Sequence, residues 1–153
     1  MMFRTHVVFS LFLALMYLSF YYVSGLVLFF IAFFIGVAFP DIDSPVSKIG
    51  RKFNLTSKLV KFIFGHRGIF HSLLFVIVFY FILRGFNGAF AFAFCFGYLT
   101  HLLGDALTLE GVNFLYPTKL GIKGFLRTGG AMESALFIFL LVIDVLRIKS
   151  MVF

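Results

Sequence analysis

Between Thr5 and Pro40 the chain carries no Asp, Glu, Lys or Arg. The apolar core of this stretch runs from Val7 to Phe39, and as one helix it would be about 50 Å long at roughly 1.5 Å per residue. A bilayer's hydrocarbon layer is only about 30 Å thick. A single span is therefore too long, and the sequence predicts a hairpin of two short spans turning near Ser24 and Gly25, the weak helix formers grouped at the midpoint. A secretory leader is the competing reading, because "MMFRTH" followed by an apolar run and Val-Ser-Gly loosely resembles one. The run outlasts the apolar region of such leaders, roughly 7 to 15 residues.

The rest of the chain agrees with a membrane protein. Its 153 residues are 62% hydrophobic, 21% aromatic and only 12% charged, and the mean hydropathy is +1.10. A water-soluble domain has a very different balance. The length suffices for one domain, residues 1–153, an all-α polytopic bundle of about five spans with no separate soluble domain. The single cysteine, Cys95, lies within "AFAFCFGY" and reads as apolar filler, since one thiol forms neither an internal disulfide nor a CxxC site. The net charge of +7 comes with no nucleic-acid recognition motif, so no nucleic acid is expected as a partner; anionic membrane lipid is.

From Pro40 to Gly68 the texture becomes polar, "PDIDSPVSKIGRKFNLTSKLVKFIFGHRG". This reads as a solvated loop with a short interfacial helix around Leu55 to Phe64, whose Lys58 and Lys61 share a face. A third span is predicted from Ile69 to Leu83, a fourth from Gly88 to Leu107 after the turn "RGFNG", and a fifth from Met132 to Leu146 after "EGVNFLYPTKLGIKGFLRTGG". Five spans put ten of the thirteen basic residues on one side and leave Arg84, Arg147 and Lys149 on the other. The positive-inside rule makes the first side cytoplasmic in a multi-pass protein of the cell membrane.

All four histidines and five of the six acids fall toward that same side, with Asp144 the exception and Arg147 its expected partner three residues on. His101 and Asp105, in "GYLTHLLGDALT", are four apart on one helical face, and Gly97, Gly104 and Thr108 share the stripe. The stripe must turn toward protein, as a metal site or as a helix-packing seam. Asp41 and Asp43 in "PDID" follow the second span as ligand and proton acceptor, or as a turn and cap. His66 and His71 in "FGHRGIFHS" are five apart, so the helix is expected to begin between them, with His71 in its first turn. Arg67, between them, suits a phosphate oxygen or serves as a positive anchor. His6 and Glu133 stand alone at the ends of spans one and five. Imidazole and carboxylate without thiolate favour zinc, with manganese or iron as alternatives, and so many donors exceed one four-coordinate ion. A site for two or more divalent metals is expected.

These stretches, "PDIDSPVSKIG", "FGHRGIFHSLL", "GYLTHLLGDALTLEGVNFLYP" and "GGAMES", resemble in order the YdjM-like family of LexA-binding, inner-membrane-associated, metal-dependent hydrolases. Family members often have histidine where Ser44 stands and threonine where Phe70 stands. The resemblance implies His66, His71, His101 and Asp105 as metal ligands, with His6, Asp41, Asp43 and Glu133 completing the site. No residue pattern in this chain accounts for a LexA partner. A fainter similarity, in His, Asp and Glu usage, reaches the all-helical zinc-dependent phospholipase C and P1 nuclease group. The expected function is hydrolysis of a phosphoester, lipid or lipid-linked, by metal-activated water, with Asp43 or Asp41 handling the proton and Arg67 steadying the anion. The alternatives are a metal transporter, or a membrane protein without turnover.

Overall fold

A computed structural model describes residues 1–43, 69–116, 118 and 121–152, with the side chains of 42, 43, 69 and 152 outside that description. The described residues form five α-helices and no strand: α1 (Phe3–Phe20), α2 (Leu26–Ala38), α3 (Leu73–Arg84), α4 (Gly88–Ala106) and α5 (Ala131–Val152). Short 3-10 turns, Phe39–Asp43 and Ile69–His71, extend α2 and precede α3. The interfacial helix expected at Leu55–Phe64 lies outside the described residues, as do His66 and Arg67.

The long apolar run folds as the expected hairpin. α1 ends at Phe20, and Gly25 leads into α2 at φ +77°, a backbone conformation that few other residues tolerate. Ser72 and Asn87 cap α3 and α4, their side-chain oxygens accepting from Phe75 N–H at 3.4 Å and Phe90 N–H at 2.9 Å. The Ser72 cap explains one departure from expectation. α3 starts at Leu73 rather than Ile69, so His71 sits in the 3-10 turn before the helix, not in its first turn.

α2 and α4 make the most extensive helix pair; α3 and α1 also pack against α4, and α5 packs against α1. The α2–α4 contact is backbone to backbone. A Cβ added to Gly36 would lie 2.0 Å from the Phe94 carbonyl oxygen, and one added to Gly97 would lie 2.0 Å from that of Phe33. Lipid tails are as apolar as leucine, so close packing of small residues is what holds helices together in a bilayer. Around this crossing Phe29, Phe33, Phe94, Tyr98 and Leu102 form the buried core. Cys95 fills space against α3, its thiol directed at the Val76 carbonyl oxygen at 3.5 Å. Thr100 on α4 gives its hydroxyl proton to the Gly97 carbonyl at 2.7 Å and accepts from the Ser10 hydroxyl on α1 at 2.8 Å, an interhelical bond of the kind worth about 0.6 kcal/mol in membranes.

Two of these helices, α1 and α4, are long and apolar enough to cross a membrane; α2 and α3 are apolar but shorter. α5 has 22 residues but includes Glu133, Asp144, Arg147 and Lys149. The turns at both ends of the polar segment shorten α2 and α3, which explains why five full-length spans are not seen. The expected Asp144–Arg147 pair does not form either. Arg147 donates instead to Ser19 Oγ at 2.8 Å and the Leu15 carbonyl at 3.5 Å on α1. Asp144 is buried, and among the described residues neither of its oxygens has a hydrogen-bond partner.

Gly97→Ala, and separately Gly36→Ala, should force the two backbones apart and destabilise the protein by about 1–3 kcal/mol, the usual range for overpacking. Denaturant or thermal unfolding in detergent micelles measures this; an unchanged midpoint would show that the crossing is looser than described.

Candidate metal centre

The site forms where the start of α1, the turn after α2, the turn before α3 and the end of α4 meet. Asp105 is its middle: 2% exposed, it has His6 Nε2 at 3.2 Å from Oδ1, and His71 Nε2 and His101 Nε2 each at 3.6 Å from Oδ2. The Met1 amino group is also 3.2 Å from Oδ1. The His6 and His101 rings stack with centroids 4.0 Å apart and planes within 2°. Two trios each place one ligand atom per residue within 4.8 Å of one another: His6, His101 and Asp105, all buried, and Asp41, His71 and His101, of which Asp41 is half-buried. His101 belongs to both.

Why the side chains arrive here follows from the helix packing. His101 lies one turn beyond Gly97, so the contact that brings α2 against α4 also brings the Val37 carbonyl to His101 Nδ1 at 2.8 Å. A carbonyl oxygen only accepts, so Nδ1 donates, which leaves Nε2 as the ring nitrogen that can offer a lone pair toward Asp105. Among the described residues that buried Nε2 has no hydrogen-bond partner. It faces a carboxylate oxygen that is also an acceptor, at a separation too long for a hydrogen bond. A divalent cation, or a proton on Nε2, between the two groups would satisfy both. Tetrahedral ligands about 2.0–2.1 Å from zinc stand roughly 3.3 Å apart, which matches the spacings around Asp105. A donor N–H on the far ring nitrogen bonded to a backbone carbonyl is also how metal-binding histidines are commonly oriented. The donor set fits a divalent cation.

Gly104 makes room for His6. A Cβ there would lie 2.7 Å from His6 Nδ1. Tyr98, fully buried three residues before His101, donates its hydroxyl to the Phe70 carbonyl and so fixes the turn carrying His71. A hydrogen bond to the backbone beside His71 is thus present with phenylalanine at position 70. Thr108 closes α4 by donating to the Asp105 carbonyl at 2.7 Å.

Of the residues singled out from sequence, His6, Asp41, His71, His101 and Asp105 are brought together. Glu133 is fully buried but belongs to neither trio; its oxygens accept the N–H groups of Met2 and Gly129, both at 2.6 Å. It clamps the chain start and the turn before α5. Asp43 is described at the backbone only, and His66 and Arg67 lie outside the described residues. Val37 and Tyr98 have no role in the sequence reading, whereas the close approach at Gly104 agrees with the packing seam expected of the stripe. Tyr98 carried a usable signal, its i, i+3 relation to His101; a main-chain acceptor such as Val37 carries none.

A family model described as YdjM inner membrane protein matches residues 1–151. The uncharacterized protein YvsG of Bacillus subtilis (strain 168) is 36% identical over 104 residues, 65% of this chain and 65% of that protein. The inner membrane protein YdjM of Escherichia coli (strain K12) is 41% identical over 87 residues, 52% of this chain and 44% of that protein, and the Shigella flexneri protein of the same name gives the same figures. The chain spans less than two thirds of the length of each of these relatives. No solved structure matches.

In metal-free protein, nitrogen-15 spectra should show His101 protonated at Nδ1 and bare at Nε2, with added zinc shifting the Nε2 resonance. The opposite tautomer would remove the argument for a cation at that nitrogen.

Proposed function

On the premise that the chain belongs to the YdjM inner membrane protein family, we propose that it is a membrane-bound, metal-dependent hydrolase acting on a phosphoester, lipid or lipid-linked, at the cytoplasmic leaflet. One observation carries this reading: a buried His101 Nε2, with no hydrogen-bond partner among the described residues, faces Asp105 Oδ2 at 3.6 Å, with His71 at the same carboxylate oxygen and His6 at the other. Because Asp105 turns Oδ1 toward His6 and Oδ2 toward His71 and His101, more than one ion fits, with Asp41 on the Oδ2 side. His66 and Glu133 are further ligand candidates, from their place in the sequence. Zinc suits these donors best and manganese next.

A bound divalent cation would polarise a phosphoryl oxygen and bring the pKa of water from about 15.7 toward 7. The chain's own residues supply the rest. Asp105 and the three imidazoles hold the charge in a pocket walled by apolar helices, where electrostatic interactions are strong. Asp41 or Asp43 orients the attacking water and takes its proton. Arg67 steadies the anionic ester through its planar fork. The distribution of basic residues supports five passes, including α2, α3 and α5, with the site facing the cytoplasm. A transporter would place ionisable groups through the bilayer's thickness; among the described acidic residues Asp144 is the one toward the far end of the helices.

Elemental analysis of protein purified without chelator should find zinc or manganese. Phosphodiesterase or phospholipase activity should fall more than about a hundredfold in a His66→Ala, His101→Ala variant, beyond the ten- to hundredfold of an outer-shell change. Activity intact in that variant would overturn the enzymatic reading. Metal with no hydrolysis, and metal flux into proteoliposomes, would favour transport.

A further inference from the structure

The segment from Leu107 to Arg127 folds back over the end of α4 that carries Asp105. Leu126 N–H donates to the Leu107 carbonyl and Gly124 N–H to that of Thr108, both at 2.9 Å, and Val112 and Ile122 exchange a pair of 2.9 Å bonds. A Cβ on Gly124 would lie 2.2 Å from the Leu107 carbonyl oxygen, so the two arms touch at the backbone. The flap is also tied to α3, the Leu73 N–H donating to the Phe114 carbonyl at 2.9 Å. It therefore joins the helix end bearing Asp105 to the turn bearing His71.

Its outer surface is neither that of a solvated loop nor that of a packed one. Leu126 and Val112 point inward, but Leu109, Leu115, Ile122 and Phe125 are 54%, 55%, 58% and 65% exposed. The bases Lys123 and Arg127, both exposed, alternate with Ile122 and Phe125. By sequence the flap holds three bases, Lys119, Lys123 and Arg127, against one acid, Glu110. It begins where α4, a helix able to cross a membrane, ends, so its apolar side chains continue the lipid-facing surface of the bundle at the bilayer's edge. Apolar residues interleaved with bases are the composition of a segment lying in an anionic interface.

We propose that this flap is a lipid-binding surface: Ile122 and Phe125 enter the headgroup region of the leaflet while Lys123 and Arg127 pair with lipid phosphates. The partner is anionic phospholipid, and the flap holds that leaflet beside the Asp105 cluster. The proposal does not require the cluster to be catalytic.

The chain has no tryptophan, so Phe125→Trp creates a single reporter. In nanodiscs containing phosphatidylglycerol its emission should be blue-shifted and quenched by lipids brominated near the headgroup end of the chain. Brominated phosphatidylglycerol should quench in preference to brominated phosphatidylcholine. That preference should fall about fivefold for each charge removed by Lys123→Gln and Arg127→Gln. Should Phe125→Trp fail to fold, the same experiment with Ile122→Trp reports on the same face. Water-like, unquenched emission overturns the proposal, as does equal quenching by both lipids with no change in the glutamine variants. Metal content is measured on the same samples, so a failed flap and an empty metal centre give separate results.

Discussion

One buried carboxylate governs this structure. Asp105 is held at the end of an apolar helix among three imidazoles, and a charge in that position is costly unless paired. The rest of the fold brings its partners to it. Gly36 and Gly97 let α2 touch α4, which delivers the Val37 carbonyl to His101 and fixes the direction of that ring. Gly104 leaves space for His6, and Tyr98 secures the turn that carries His71. A packing contact between two helices thus sets the chemistry of an imidazole one turn away.

Much of this could be read before any coordinates. The uncharged run was too long for one span and too apolar for a loop, and the only helix-weak pair near its middle marks the observed turn. The i, i+4 spacing of His101 and Asp105 placed both on one face, and that face is buried. Gly97, Gly104 and Thr108 on the same stripe are buried close-contact or capping residues, so the stripe is a packing seam and a candidate metal site at once. Other features depend on contacts that have no sequence signature. A cap competes locally with helix propensity, and Ser72 moved His71 out of α3. Arg147 found a hydroxyl and a carbonyl on α1, more than a hundred residues away, in place of Asp144 three residues away. Backbone acceptors such as those of Val37 and Phe70 are available at every position and are selected by tertiary packing alone.

The cluster and the flap occupy the same end of the bundle. α4 supplies Asp105 to one and the first residues of the other, while α3 starts between them. The carboxylate and imidazoles of that cluster are buried. The membrane character shared with the YdjM family is what makes an amphiphilic phosphoester the substrate class proposed above.

The central claim is that imidazole nitrogens and Asp105 jointly hold a divalent cation. X-ray absorption at the zinc edge of zinc-loaded, gel-filtered protein tests it most directly. The account predicts a first shell of nitrogen and oxygen at about 2.0–2.1 Å without sulfur, accompanied by imidazole outer-shell scattering that weakens in His101→Ala. Loss of zinc on gel filtration, or a first shell lacking imidazole, would contradict it.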